Sequence, residues 1–343
     1  MCKRIFLLLL ALSSLKAQSP NTTLTQRGGN HNAIFLNPAK LSSLSKDNQI
    51  HATFADFSLL LDDKSYDFLK ELRNISSSEN KNQEISQLLN ENIGNILSVS
   101  ANNFSSIYQN REQFSWSLGI ANTLDAYFIP HSGFGSKGAM ESAMEKYRII
   151  LGTVALQHEN FHYGLNLKSI KKTQKNYNYS INDMLNNNSL KDYFNNEYAK
   201  SETTTALDAG ILYEGFQHSL NPTLSLSVLD IGNDLTQTVG KVPTTTNIGG
   251  SLEPYQQATL NIDYLDIFKN QANSTFEDSL RIHLSHAFFN EQLKLNTGLL
   301  YNALLYGIEY DYSLFSISLH SYKLKDYIGN KERKYELSLA LKW

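Results

Sequence analysis

Apolar and polar residues alternate one by one over most of this chain. The last ten residues are the clearest case: Tyr335, Leu337, Leu339, Leu341 and Trp343 are separated by Glu336, Ser338, Ala340 and Lys342. A side-chain period of two belongs to a strand with one apolar and one polar face. The same period places Phe114, Trp116, Leu118 and Ile120 against Ser115, Ser117 and Gly119, and Phe161, Tyr163, Leu165 and Leu167 against His162, Gly164, Asn166 and Lys168. It recurs through Thr205–Tyr213, Leu224–Val228, Leu260–Tyr264, Leu280–Leu284, Leu293–Tyr301, Leu304–Tyr310 and Phe315–Leu319. Around Tyr147 the pattern is less clean, and it reads as Tyr147, Ile149 and Leu151 outward with Arg148 and Gly152 inward. Weaker segments at Ile50–Phe57 and Thr244–Leu252 bring the count to about thirteen, and one near Asn32–Leu36 would make fourteen. Turns as short as Asn290-Glu291 separate several of them, which is hairpin spacing and not crossover spacing.

Two regions break this rhythm. Lys64 to Gln109 reads as helix in two pieces: Phe68, Leu69, Leu72 and Ile75 form one apolar stripe, and Ile85, Leu88, Leu89, Ile93, Ile96 and Leu97 another. An irregular segment of this kind cannot lie in lipid, so it is expected as a lumen plug, a cap or a surface projection. Ser180 to Ser201 is Asn-rich and reads as a long loop with a short helix near Ile181–Tyr193.

So many successive strands with one apolar face predict an all-β fold: a transmembrane antiparallel up-and-down β-barrel of about fourteen strands, apolar outside and polar inside. A terminal strand of this pattern closes such a barrel. Tyr335, Leu337, Leu339, Leu341 and Trp343 then resemble the terminal signal that the barrel insertion machinery reads in outer-membrane barrels, and the Trp343 ring is expected at the membrane interface.

The start of the chain supplies the compartment. Lys3-Arg4, the apolar run Ile5 to Leu12 and "SSLKAQS" have the layout of a secretory signal peptide, 1–17, with cleavage after Ala17. Residues 18–343 are then the outer-membrane barrel, comprising an N-terminal segment at 18–47 and the helical insert at 64–109. Cys2 is the only cysteine, so the exported chain would have no disulfide and no cysteine metal site. A net charge of −3 gives no sign of nucleic-acid binding.

Several short motifs resemble barrels related to the long-chain fatty-acid transporter, in particular the conjugal-transfer TraF-like branch and its PorV-like relatives. They are "FLNPAKL" (Phe35 to Leu41), "YGLNLKSIKK" (Tyr163 to Lys172), "LDAGILYE" (Leu207 to Glu214) and "PTTTNIGGSLEP" (Pro243 to Pro254). Before the first motif, Gln26 to Ile34 reads "QRGGNHNAI" where that group carries a "GMGGA"-like run. The resemblance implies a fourteen-stranded outer-membrane barrel with an N-terminal segment in or under the lumen. It does not imply a single activity, since such barrels serve uptake, secretion and transfer.

Catalytic chemistry finds little footing. In "RIHLSH", His283 and Ser285 share a face but lie about 7 Å apart along a strand, too far for an easy hydroxyl–imidazole hydrogen bond. His283 and His286 have a helical metal-ligand spacing on a strand. Calcium loops and phosphate-cradling glycine loops are absent from the sequence. The polar faces carry the more informative set. Lys168, Asp208, Glu214, Asp263, Arg281, Glu309, Asp311 and Glu336 are expected to line the lumen, with Arg148, Lys294 and Lys342. They would either brace the wall in pairs or form a translocation path. Glycines expected inward at 119, 152, 164, 210, 298 and 307 suggest something packed closely inside, or local bends. The reading is a non-enzymatic outer-membrane channel or transporter for hydrophobic small molecules, without cofactor or metal, whose partners are lipid and the insertion machinery. The alternative is a structural or assembly component of a conjugal-transfer or secretion envelope system.

Overall fold

The computed structural model describes residues 22–25, 31–44, 47–75, 80–132, 138–180, 182–183, 199–271, 275–325 and 331–343. The expected signal peptide and most of the 180–201 loop lie outside them.

Fourteen antiparallel strands pair in chain order and close into a barrel, with β1 hydrogen-bonded to β14. They are β1 (Ile50–Leu61), β2 (Leu97–Asn110), β3 (Phe114–Pro130), β4 (Met140–His158), β5 (Phe161–Tyr179), β6 (Lys200–Tyr213), β7 (Thr223–Ile231), β8 (Thr245–Leu252), β9 (Ala258–Tyr264), β10 (Leu280–Phe288), β11 (Leu293–Leu300), β12 (Ala303–Tyr312), β13 (Phe315–Lys325) and β14 (Lys331–Lys342). At the seam, Trp343 N donates to Ala52 O at 2.8 Å and Ala52 N donates to Trp343 O at 2.7 Å. The expected fourteen is reached, but with a different membership. Residues 32–36 are not a strand, and β2 lies inside the stretch read as helix. Its outward residues run Leu97, Val99, Ala101, Asn103, Ser105 and Ile107, so polar Asn103 and Ser105 interrupt the apolar face, which blurred the period.

One end of the barrel carries only short connections: 111–113, 159–160, 214–222, 253–257, 289–292 and 313–314. The other carries the long connections 62–96, 131–139, 180–199, 232–244 and 265–279, together with the short links 301–302 and 326–330. Outward-facing Leu118, Ile150, Leu165, Leu167, Leu207, Ile262, Leu319 and Leu337 are all exposed and form an apolar belt. Among the described residues no helix is long and apolar enough to cross a membrane, so the belt belongs to strands alone.

β4 reverses the expected faces. Tyr147, Ile149 and Leu151 are buried inward, while Arg148, Ile150 and Val154 point out. Gly152 therefore faces outward, against Leu118. Both faces of this strand are apolar because its inner face packs on other protein, so alternation alone cannot orient it.

The helical stretch is shorter than expected: α1 (Asp63–Ile75) and α2 (Lys81–Glu91). Leu89 of α2 packs against Leu124, Ala126, Met140, Met144 and Tyr179. Strand register puts Leu124, Ala126 and Met144 on the outward face of β3 and β4, near the long-loop end. These helices cover the outside of extended strand ends and leave the lumen to another segment.

Candidate functional site

Two short 3-10 turns, His31–Phe35 and Pro38–Ser43, occupy the lumen. Local chemistry specifies the second. Asn37 is extended at the N-cap, its side chain accepts from Ala39 N at 2.9 Å, and Pro38 needs no donor in the first turn. Ile34, Leu41 and Leu44 then pack with Tyr147, Ile149, Leu151, Ala155, Ile170 and Ala206 in a core inside the barrel.

Two inward glycines make room for this segment. A Cβ on Gly164 would lie 2.2 Å from Ala39 N and Pro38 C; one on Gly210 would lie 1.9 Å from Asn37 Oδ1. Gly119 and Gly307 instead accommodate Phe104 and His320, and a Cβ on Gly298 would strike the Ile282 carbonyl.

Inward polar residues secure the plug at points along its length. Leu24 N donates to Asp263 Oδ2 at 3.0 Å, and Thr23 and Thr25 donate to Asn261 Oδ1. His31 bridges Ser106 and Ser117 at 2.6 and 3.0 Å. Asn32 donates to Asp56. Asn37 Nδ2 donates to Ser225 Oγ at 2.7 Å, Ser42 Oγ bonds His162 Nδ1 at 2.8 Å, and Asn110 Nδ2 donates to Leu44 O at 2.6 Å. The Asn166 amide donates both to Ile34 O at 2.9 Å and to Asp208 Oδ2 at 2.8 Å. Asp208 is held in turn by Lys168, at 2.7 Å, and by Asp230 N, at 2.8 Å.

The expected lumen residues thus fall into distinct groups. Lys168 and Asp208 form a buried brace that orients Asn166, with Asp230 as a second carboxylate 2.5 Å from Lys168. Asp263 holds the start of the plug. Glu214 lies just beyond β6, 3.6 Å from His162 Nε2. Asp311 pairs with Lys342 at 2.8 Å, and Glu336 accepts from Tyr322 at 2.9 Å. Glu309 faces the remaining open lumen, and Arg281 lies inward on β10 beside Asp263. Tyr335, Leu337, Leu339, Leu341 and Trp343 all face outward and are exposed. His162, Asn166 and Asn261 fell on polar faces by periodicity but were not singled out as lumen candidates, and neither was Asn37, although Gly164 and Gly210 mark the wall where Asn37, His162 and Asn166 act.

At the long-loop end a second brace ties three elements together. Lys334 of β14 donates to Asp62 and to Ser98 of β2. Asp62 also accepts from Ser65 N at 2.7 Å, capping α1. Burial alone would raise the Asp62 carboxyl, but its hydrogen bonds from Lys334 and Ser65 outweigh this and hold it below the usual carboxylate range.

The plug packs chiefly on β4 to β6 and leaves a cavity of about 250 Å³ against β1 to β3 and β12 to β14. One side of it is a continuous row of rings. His51 stacks on Tyr108 at 5.1 Å, Tyr108 meets His31 at 4.4 Å, His31 meets Phe104 at 5.4 Å, and Phe104 meets Phe35 edge-on at 5.0 Å. Asp56, Glu309, Glu336 and Lys342 also line this space. Elsewhere, both ring nitrogens of His283 lack a hydrogen-bond partner, so it forms no nucleophilic pair with Ser285. Among the described residues no three His, Cys, Asp or Glu side chains converge in a metal-holding group.

Known structures share this architecture. The toluene transporter TbuX of Ralstonia pickettii superposes with a TM-score of 0.60 at 10% identity, covering 97% of this chain and 99% of that one. The toluene transporter TodX of Pseudomonas putida gives 0.59 at 10% identity, over 96% and 98%. At this identity the likeness is one of fold. No protein-family model matches the sequence, and no curated protein matches it either.

Proposed function

We propose that this chain is an outer-membrane channel for small hydrophobic molecules, aromatic ones among them, and has no enzymatic role. The observation that carries this reading is the ring row from His51 to Phe35 along the cavity of a plugged barrel. A flat apolar solute gains contact area and favourable ring packing there, where a hydrated ion gains neither. The long-loop end is the outer side and the short-turn end the periplasmic side, as in barrels of this class. Export rests on residues 1–17, and N-terminal sequencing of the mature protein should begin at or near Gln18. The fold fits the shared architecture of TbuX and TodX, proteins described as toluene transporters.

The test is toluene uptake into vesicles carrying the purified protein. Uptake above protein-free vesicles is expected, together with weaker toluene binding in Phe104→Ala by roughly threefold to tenfold, the worth of one ring contact. Uptake no faster than in protein-free vesicles, with binding unchanged in the variant, would reject the channel.

The second reading, a scaffold in a conjugal-transfer or secretion system of the TraF-like or PorV-like kind, draws on the α1–α2 hairpin. It stands outside the lumen and exposes Tyr66. A scaffold predicts no solute uptake, but loss of the envelope system's function when residues 64–91 are replaced by a short linker.

A further inference from the structure

Charge is sorted across the barrel wall. Every Asp and Glu described on the strands faces inward, as register and burial place Asp56, Asp125, Glu141, Glu145, Glu202, Asp208, Asp230, Asp263, Glu309, Asp311, Glu332 and Glu336. The charged strand residues that face outward are cations instead, and they gather toward the long-loop end. Arg148 of β4 pairs directly with Lys171 of β5, and Lys146 is one outward position further along. Arg148 and Lys171 are exposed and Lys146 half-buried. The described salt bridges supply none of the three with an acidic partner. Elsewhere on the wall, Lys323 of β13 pairs with Arg333 of β14.

The height of this cluster is also defined. Below Arg148 and Lys171, the outward rows run Ile120–Ile150, Leu118–Gly152–Leu167–Leu207, Trp116–Val154–Leu165 and Phe114–Leu156–Tyr163–Ile211. With the outward row His158–Phe161–Tyr213 at the short-turn end, the belt covers nine residues of β4, 150–158, within the roughly nine to eleven strand residues needed to cross a bilayer core. The cations therefore stand at its outer rim, where lipid headgroups lie. Directly cross-strand and diagonal side chains are roughly 5–8 Å apart, so the three cations repel one another unless an anion lies between them.

We infer that Lys146, Arg148 and Lys171 form a docking site on the outer wall for the phosphate groups of an anionic outer-leaflet lipid. Lysine supplies point charge and arginine a two-pronged donor to phosphate oxygens. The inference rests on the outer-membrane placement proposed above and is independent of the solute carried.

The test uses the full-length protein in detergent, titrated with lipid A carrying both phosphates, with the same lipid stripped of phosphate, and with inorganic phosphate alone. Binding is read by native mass spectrometry. Preference for the phosphorylated lipid is expected, with affinity falling on the order of tenfold to a hundredfold in Lys146→Gln/Arg148→Gln/Lys171→Gln and unchanged in Lys64→Gln. Equal binding of the stripped lipid to the wild type would overturn the inference without any variant. Equal binding by the triple variant would overturn it too, as would full competition by millimolar inorganic phosphate, which would mark a free-anion site. Toluene uptake by the triple variant separates the two proposals: retained uptake with lost lipid preference leaves the channel standing.

Discussion

At the scale of single residues, the plug depends on atoms that are absent as much as on those present. Gly164 and Gly210 let the backbone and Asn37 side chain of the plug approach the wall to distances no Cβ would allow. Gly164→Val should therefore push the 31–44 segment off its seat at a cost of about 1–3 kcal/mol. The closed barrel should survive, because strand pairing is untouched. Proteolysis separates the two effects: cleavage within 31–44 is expected in the variant and not in the wild type, while both keep the heat-dependent gel shift of a folded barrel. Asp62 makes a second prediction, in pH. Its folded carboxyl titrates below its unfolded value, so its contribution is present above the unfolded value and is lost as pH falls through the folded one. Unfolding of the wild type should become easier on acidification in that window. Asp62→Asn should show a smaller change there, and equal acid sensitivity of the two proteins would remove Asp62 as the cause.

Among elements, β14 and β4 show when alternation assigns a face correctly. On β14 only one face is apolar, and Leu337, Leu339 and Leu341 point outward while Glu336 and Ser338 point inward. Arg at Leu339 should cost on the order of 2–4 kcal/mol near mid-membrane, and Arg at Ser338 less. Equal refolding yields for the two variants in lipid vesicles would contradict the assignment. On β4 both faces are apolar, since Ile149 and Leu151 serve the plug and Ile150 and Val154 the belt. The strand's own sequence holds no feature that says which set meets lipid. The helices carried a related ambiguity. Their apolar stripes were legible, but the surface that receives Leu89 is made by β3, β4 and β5, distant in sequence.

For the whole molecule, the division of labour between plug and hairpin can be tested by conductance in planar bilayers. The intact protein should conduct poorly, because 31–44 fills much of the lumen. Replacing residues 64–91 by a short linker keeps β2 and should leave conductance low. Asn37→Ala with Asn166→Ala removes two plug anchors and should raise it. A rise on hairpin replacement, with none on loss of the anchors, would assign the gate to the helices.

The sequence by itself determined the barrel class, the outward set of the closing strand and the inward placement of Lys168, Asp208, Asp263 and Glu336. Each of these follows from a period of two read within a single strand, where neighbouring residues must point to opposite faces. Tertiary structure decided between the N-terminal segment and the helical insert as the filling of the lumen, and it alone decided which way β4 turns and where the cavity lies. Those outcomes depend on contacts between residues far apart in the chain, such as Asn37 with Ser225 and His31 with Ser106 and Ser117. Periodicity reports the face a side chain takes, but the partner it meets on that face is fixed only when the barrel closes.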